Sequence, residues 1–456
     1  MNEQVLFAKQ MLTAAGWLQN AFAVVNSEGR LQEVGIGEPT GARCFDVLLP
    51  APANIHSHSF QRAIAGLTER REGRSEDNFW SWRRLMYKFL DHLDPEDIEA
   101  IAAQVQMEML EAGYASVGEF HYLHHQLGGT PYEDPAELSH RILSAAKDSG
   151  IGYTHLPVLY MHAGLAGEPL AGGQLRFGCT LESFTRLFES VDSALPNYPG
   201  DFHLGVAPHS LRAVDYEGIL LTDKLVSNGP IHIHIAEQTA EVEEVRHSLG
   251  ATPIRWLLEH MPVDRRWCLI HATHADESEL RQLAASKAIA GICPITEANL
   301  GDGIFNAVAF SESNGRMAIG SDSNVRIAMA EELRLLEYSQ RLRFRRRVLL
   351  TSGELSCGRF LYDQATLGGA QALARDAGRI ETGALADLVA LDAENTPLHG
   401  RCGDELLDAW IFASDDSIVT DVWAAGRHVV QDGRHINRDR IHSAFNSVME
   451  NLRSEH

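Results

Sequence analysis

The middle of the chain alternates short apolar segments with longer helix-like ones, and nothing else in the sequence restricts the fold as much. Strand-like segments fall at 115–120, 152–159, 202–207, 231–235, 268–271, 288–293 and 317–322. Another leads into His56-Ser57-His58. Helix-periodic stretches lie between them, such as those starting at Pro95 and Ala240. Parallel strands joined by helices, repeated eight times, predict an α/β fold of the (β/α)8 or TIM-barrel type.

Several of these strands end on a residue that can bind a metal or move a proton. His56 and His58 are separated by one residue, so a strand would point both to one face. His234 lies in His232-Ile233-His234-Ile235-Ala236-Glu237, and Glu237 follows just past the strand end. His271 and Asp322 close two later strands. His232 shares a face with His234 but is expected only to pack against a helix. Barrel enzymes carry their sites at this end of the strands. The predicted metal ligands are therefore His56, His58, His234 and Asp322, with Glu237, His271 and Asp322 as catalytic groups.

Both chain ends read as β-rich. Residues 1–50 alternate apolar and polar around a turn at Asn26-Ser27-Glu28-Gly29, which suggests short antiparallel strands. Strand-like stretches return at 386–391 and 420–430. The predicted organisation is a small split β-sandwich domain built from 1–50 and 376–456, the latter with a terminal helix. The barrel of 51–375 is inserted between them.

Composition narrows the function. The 456 residues carry a formal net charge of −23, which repels phosphate backbones and argues against a nucleic-acid partner. No apolar run reaches the ~20 residues of a membrane span. Residues Met1-Asn2-Glu3-Gln4 do not start a basic and then apolar leader. The six cysteines lack CxxC pairing, as in reduced cytoplasmic proteins. A cytoplasmic protein is therefore expected, and a homodimer is the simplest oligomer for such a barrel. The basic run 341–347 reads as a solvated helix face.

These residues resemble the amidohydrolase superfamily, in which a TIM barrel is combined with a small split β-domain. The HxH at His56/His58, the HxxE at His234/Glu237, then His271 and Asp322 fall in that family's order. Binuclear members carry a lysine near the end of the fourth strand. Here that position reads Ala207-Pro208-His209-Ser210-Leu211-Arg212. The resemblance thus implies a mononuclear deaminase with one Zn2+ per subunit, since three imidazoles, a carboxylate and water suit zinc. Iron or manganese would fit the same ligand types.

The more particular segments are Phe79-Trp80-Ser81-Trp82-Arg83, in the predicted long loop after the first strand, and Thr296-Glu297-Ala298-Asn299-Leu300-Gly301-Asp302-Gly303-Ile304-Phe305. They are similar to the branch that hydrolyses N-formimidoyl-L-glutamate to N-formyl-L-glutamate and ammonia in histidine breakdown. That likeness implies a carboxylate-bearing small-molecule substrate held by Gln61, Arg83, Tyr122, His209 and Arg212. Arginine's planar fork matches a carboxylate. The alternative is a deaminase of a purine, a pyrimidine or an S-adenosylhomocysteine-like compound, in which Arg83 and Arg212 would not touch substrate. Arg326 is open between an anion contact and a surface residue.

Overall fold

The computed structural model describes residues 2–69 and 79–454. Met1, quoted above, lies outside them.

Four strands open the chain: β1 (Gln4–Thr13), β2 (Gly16–Val25), β3 (Leu31–Ile36) and β4 (Arg43–Pro50). The barrel strands follow: β5 (Ala53–Ser57), β6 (Ser116–His121), β7 (Gly152–Leu159), the broken pair β8 (Phe202–Leu204) and β9 (Ala207–Pro208), β10 (Ile231–Ile235), β11 (Trp267–His271), β12 (Ile289–Ile292) and β13 (Arg316–Ile319). The chain ends with β14 (Leu388–Leu391), β15 (Val419–Ala424), β16 (Arg427–Gln431), β17 (Arg434–His435) and the helix Arg438–Ser454.

Parallel pairing runs from β5 through β8 in one sheet and from β10 through β13 in another. Bridges Val206–Ile231 and Ser57–Asp322 join the two, so the staves close on themselves. Their interior is packed. Ile55, Cys268, Ile270, Ala318 and Leu373 form a buried cluster that plugs the barrel. Layers of branched side chains fill such a barrel and leave its working end at the strand C-termini.

Both ends of the chain pair in one eight-stranded sheet, ordered β17-β16-β15-β14-β4-β1-β2-β3. One expectation changes here. The first strands are not all antiparallel, because β4 runs parallel to β1, with Leu6 opposite Arg43 and Met11 opposite Leu48. That register places β4 between β1 and β14 and carries the chain straight into β5. A buried ion-pair network ties this sheet to the barrel. Arg375 binds Asp387 at 2.5 Å and Asp201 at 2.9 Å, and Arg427 binds Asp201 at 2.7 Å.

Arg83 is a second correction. It sits in the helix Phe79–Leu90 rather than a loop. Met86, Phe89 and Leu90 are buried at helical spacing, and that apolar stripe anchors the turn bearing Arg83. Among the described residues no helix is long and apolar enough to cross a membrane.

Candidate active site

His56 and His58 leave β5 on one face and meet His234 from β10 and Asp322 from the turn after β13. One ligand-capable atom from each of the four lies within 4.8 Å of the others, and all four residues are buried. His56 Nε2 is 3.4 Å and His58 Nε2 3.3 Å from Asp322 Oδ1, while His56 Nε2 and His234 Nε2 are 3.0 Å apart.

The backbone is built to hold this convergence. Asp322 N–H donates to the His56 carbonyl and His58 N–H donates to the Asp322 carbonyl, both at 2.9 Å. Gly320 permits the close approach, since a Cβ there would lie 2.8 Å from that of His56. Asp322 (φ 50°) and His271 (φ 71°) have left-handed backbone, a conformation uncommon outside glycine and concentrated at functional sites. Behind them Asn54, Ser321, Asn324 and Ser57 form a buried hydrogen-bonded chain.

The donor set fits a divalent cation. The His58 ring nitrogen Nδ1 lies 3.0 Å from the Phe120 carbonyl, so a proton on Nδ1 leaves the Nε2 lone pair facing the cluster. Burial pushes His56 down to about 3 and also lowers His58 and His234, so all three imidazoles are neutral at physiological pH. Burial alone would raise Asp322, but the neighbouring histidines outweigh it and hold the carboxyl below its ordinary range. Three neutral imidazoles with one carboxylate are a zinc-type set.

His271 stands beside the cluster. Its Nε2 lies 3.8 Å from both Glu237 Oε1 and Asp322 Oδ2. Burial would lower it, yet the charges of Glu237, Glu297 and Asp322 prevail and push it up to about 10. Burial raises Glu237, which suits a carboxyl that gives and takes protons. His232, on the same strand as His234, instead lies 2.8 Å from the Ala372 carbonyl, consistent with a packing role.

A cavity opens above these groups at the strand ends. Its walls include His58, His234, Glu237, His271 and Asp322 together with Gln61, Arg83, Tyr122, His209 and Arg212, so every predicted metal, catalytic and substrate residue except buried His56 faces the same space. The Gln61 amide donates to the Tyr122 hydroxyl at 2.8 Å, and Arg83 donates to the Tyr160 hydroxyl at 2.6 Å. Arg212 is buried, with its Nε 4.0 Å from Glu241. Arg326 lies elsewhere. It is exposed and paired with Glu331.

Sequence reasoning missed Tyr160, Tyr87 and Phe177 on the cavity wall. It also gave Glu297 no role, although Glu297 Oε1 lies 3.2 Å from His271 Nδ1. Tyr160 follows the end of β7, Tyr87 lies in the helix Phe79–Leu90, and Phe177 follows the short helical turn Gly172–Arg176. Glu297 lay within a quoted segment, but a lone glutamate at a helix start reads as a cap.

The model of the amidohydrolase family matches residues 47–429. The chain belongs to the amidohydrolase family. It is 47% identical to the formimidoylglutamate deiminase of Pseudomonas aeruginosa, over 98% of this chain and 99% of that protein. It is 26% identical to a 5-methylthioadenosine/S-adenosylhomocysteine deaminase of Natronomonas pharaonis, over 93% of this chain and 91% of that protein. A crystal structure of an amidohydrolase from Brucella melitensis superposes with a TM-score of 0.94 at 45% identity, covering 98% of this chain and 99% of the other. The zinc complex of atrazine chlorohydrolase from Arthrobacter aurescens, 19% identical, shares the fold with a TM-score of 0.83, over 98% of this chain and 99% of the other.

Proposed function

We propose that this protein deiminates N-formimidoyl-L-glutamate, giving N-formyl-L-glutamate and ammonia. The observation that carries the reading is that Arg83 and Arg212 line the same cavity as the His/Asp cluster. Two guanidinium groups there suit a substrate that carries carboxylates, whereas a neutral base would offer them no carboxylate to bind. The full-length likeness to the Pseudomonas deiminase supports the same substrate.

His56, His58, His234 and Asp322 would hold one divalent cation, with zinc the best match to their donor types. When bound, the cation supplies Lewis acidity, making water acidic enough to yield a nucleophile near neutral pH. The residues around it carry the rest. Arg83 and Arg212 bind the glutamate carboxylates, with Gln61, Tyr122 and His209 completing the wall. The formimidoyl carbon then sits against Glu237 and His271. An amidine is a strong base and arrives as a cation, which suits a wall bearing the Glu237 and Asp322 carboxylates.

Asp322 takes the proton released as water attacks the formimidoyl carbon. His271 Nε2 hydrogen-bonds the attacking oxygen and fixes its approach. Glu237 delivers a proton to the departing nitrogen. The tetrahedral carbon collapses to the formyl group and ammonia leaves. Atoms balance with one water consumed per ammonia released.

The same reading makes the protein a cytoplasmic homodimeric enzyme, in keeping with four buried free thiols. Purified protein loaded with zinc should release ammonia from N-formimidoyl-L-glutamate and not from adenosine, S-adenosylhomocysteine, guanine or cytosine. Turnover confined to a base would replace this reading with the base-deaminase one.

A further inference from the structure

His271 is gripped from behind. Its Nδ1 lies 3.2 Å from Glu297 Oε1, and the same oxygen accepts the backbone N–H of Cys293 at 3.0 Å. Glu297 sits in the helix Pro294–Leu300 that follows β12, and only 5% of it is exposed. It does not belong to the cavity wall, and the histidine is the cavity group its carboxylate meets.

We propose that Glu297 positions His271, keeping a proton on Nδ1 and fixing the ring so that Nε2 is the atom presented between Glu237 and Asp322. This rests on the deiminase reading only in placing His271 beside the reacting carbon.

The partner of each ring nitrogen sets the orientation of an imidazole and what each nitrogen can donate or accept. An ionised carboxylate is acceptor-only, so the hydrogen bond to Glu297 requires Nδ1–H. The groups facing Nε2 are also carboxylates, both at 3.8 Å. Without Glu297 the ring would lose the partner that fixes its orientation, and Nε2 would no longer be held between them. The Cys293 N–H fixes the Glu297 carboxylate to the end of β12, and His271 also lies parallel to His234 at 5.5 Å. The same segment supports the other side of the site. Asp302 N–H donates to the Glu297 carbonyl at 3.0 Å, and the Asp302 carboxylate accepts from the side-chain amide of Gln238, the neighbour of Glu237.

The test compares wild type with E297Q and E297D. Gln keeps an oxygen that can accept both hydrogen bonds, so E297Q should fold with wild-type zinc content. Imidazole N–H resonances are followed by proton–nitrogen NMR in metal-free protein, with the His271 signal identified by its loss in H271N. The expected result is a far-downfield Nδ1–H signal in wild type that moves upfield in E297Q. In the zinc-loaded enzyme, kcat for N-formimidoyl-L-glutamate should fall ~10–100-fold, the usual effect of losing a group that orients an active-site histidine. KM should barely change, and E297D, which keeps the charge, should recover part of the kcat. Wild-type kcat in E297Q with an unmoved resonance would overturn the proposal and leave Glu297 as a helix brace. An NMR response in a wild type inactive on the substrate would count against the substrate and still support the positioning role.

Discussion

The Nε2 atoms of His56 and His234 face each other at 3.0 Å in a buried site. Both rings are held neutral by burial, and Asp322 adds a carboxylate to the same space. Two imidazole lone pairs and a carboxylate pointed inward repel one another until a cation joins them. Chelation should therefore abolish ammonia release and lower the Tm, and zinc should restore both. A ligand present at 1,000 times its Kd stabilises the fold by about 4 kcal/mol. H234N should bind less than stoichiometric zinc by atomic absorption. An unchanged Tm after complete metal removal would contradict the site.

Glu237 lies 3.8 Å from His271 and lines the cavity without belonging to the four-residue cluster. The Glu237→Gln variant should keep its zinc and lose kcat by ~100–10,000-fold, the range for a general acid–base group. KM should change little. Ammonia release measured beside metal content separates the two effects, and retained turnover would remove Glu237 from proton transfer.

Arg212 is 5% exposed and faces the cavity with Arg83. Truncating one charged hydrogen-bonding group costs about 1.5–3 kcal/mol, which is roughly 10–150-fold in binding. Arg212→Met and Arg83→Met should each raise KM for N-formimidoyl-L-glutamate by that order with zinc content unchanged. Kinetics identical to wild type would show that the carboxylates are held elsewhere.

The legible part of this site was what repeats at strand ends. His56, His58, His234, His271 and Asp322 each follow an apolar run, and parallel strands bring such residues to one end regardless of the loops between them. Register was less legible. An alternating pattern reads the same in either direction, so the parallel pairing of β1 with β4 carried no sequence mark. Arg83 was visible as a candidate, but its place in the helix Phe79–Leu90 was not. Glu297 escaped because its significance lies in a contact with a strand 26 positions away.

The network around Arg375 joins the barrel to the sheet made by both chain ends. Arg375 is 4% exposed and holds Asp387 and Asp201, which also binds Arg427. Burial would raise Asp201, but Arg427 and Arg375 outweigh it and hold the carboxyl down at about 2. Removing one partner leaves buried charge uncompensated, typically at about 3–5 kcal/mol. Arg375→Met should lose that much stability in urea unfolding, while kcat and KM of the protein that stays folded remain near wild type. A variant as stable as wild type would mean that water replaces the guanidinium.

Glu119 gives the fold a pH dependence of definite sign. It is 2% exposed, and one oxygen accepts the Ser59 N–H at 2.7 Å while the other is buried without a partner. Burial pushes its carboxyl from 4.5 up to about 7. The folded state therefore keeps a proton that the unfolded chain releases near 4.5. Below that value both states are protonated and the full contribution to stability is present. As pH rises from about 4.5 through 7 the unfolded state gains by ionising first, and stability falls. The gap corresponds to about 3 kcal/mol at 1.36 kcal/mol per unit. Glu119→Gln cannot ionise and should flatten the decline, so the variant gains on wild type between pH 5 and pH 8 in urea unfolding of chelator-treated protein. Parallel curves for the two proteins would show that Glu119 is already ionised in the folded state.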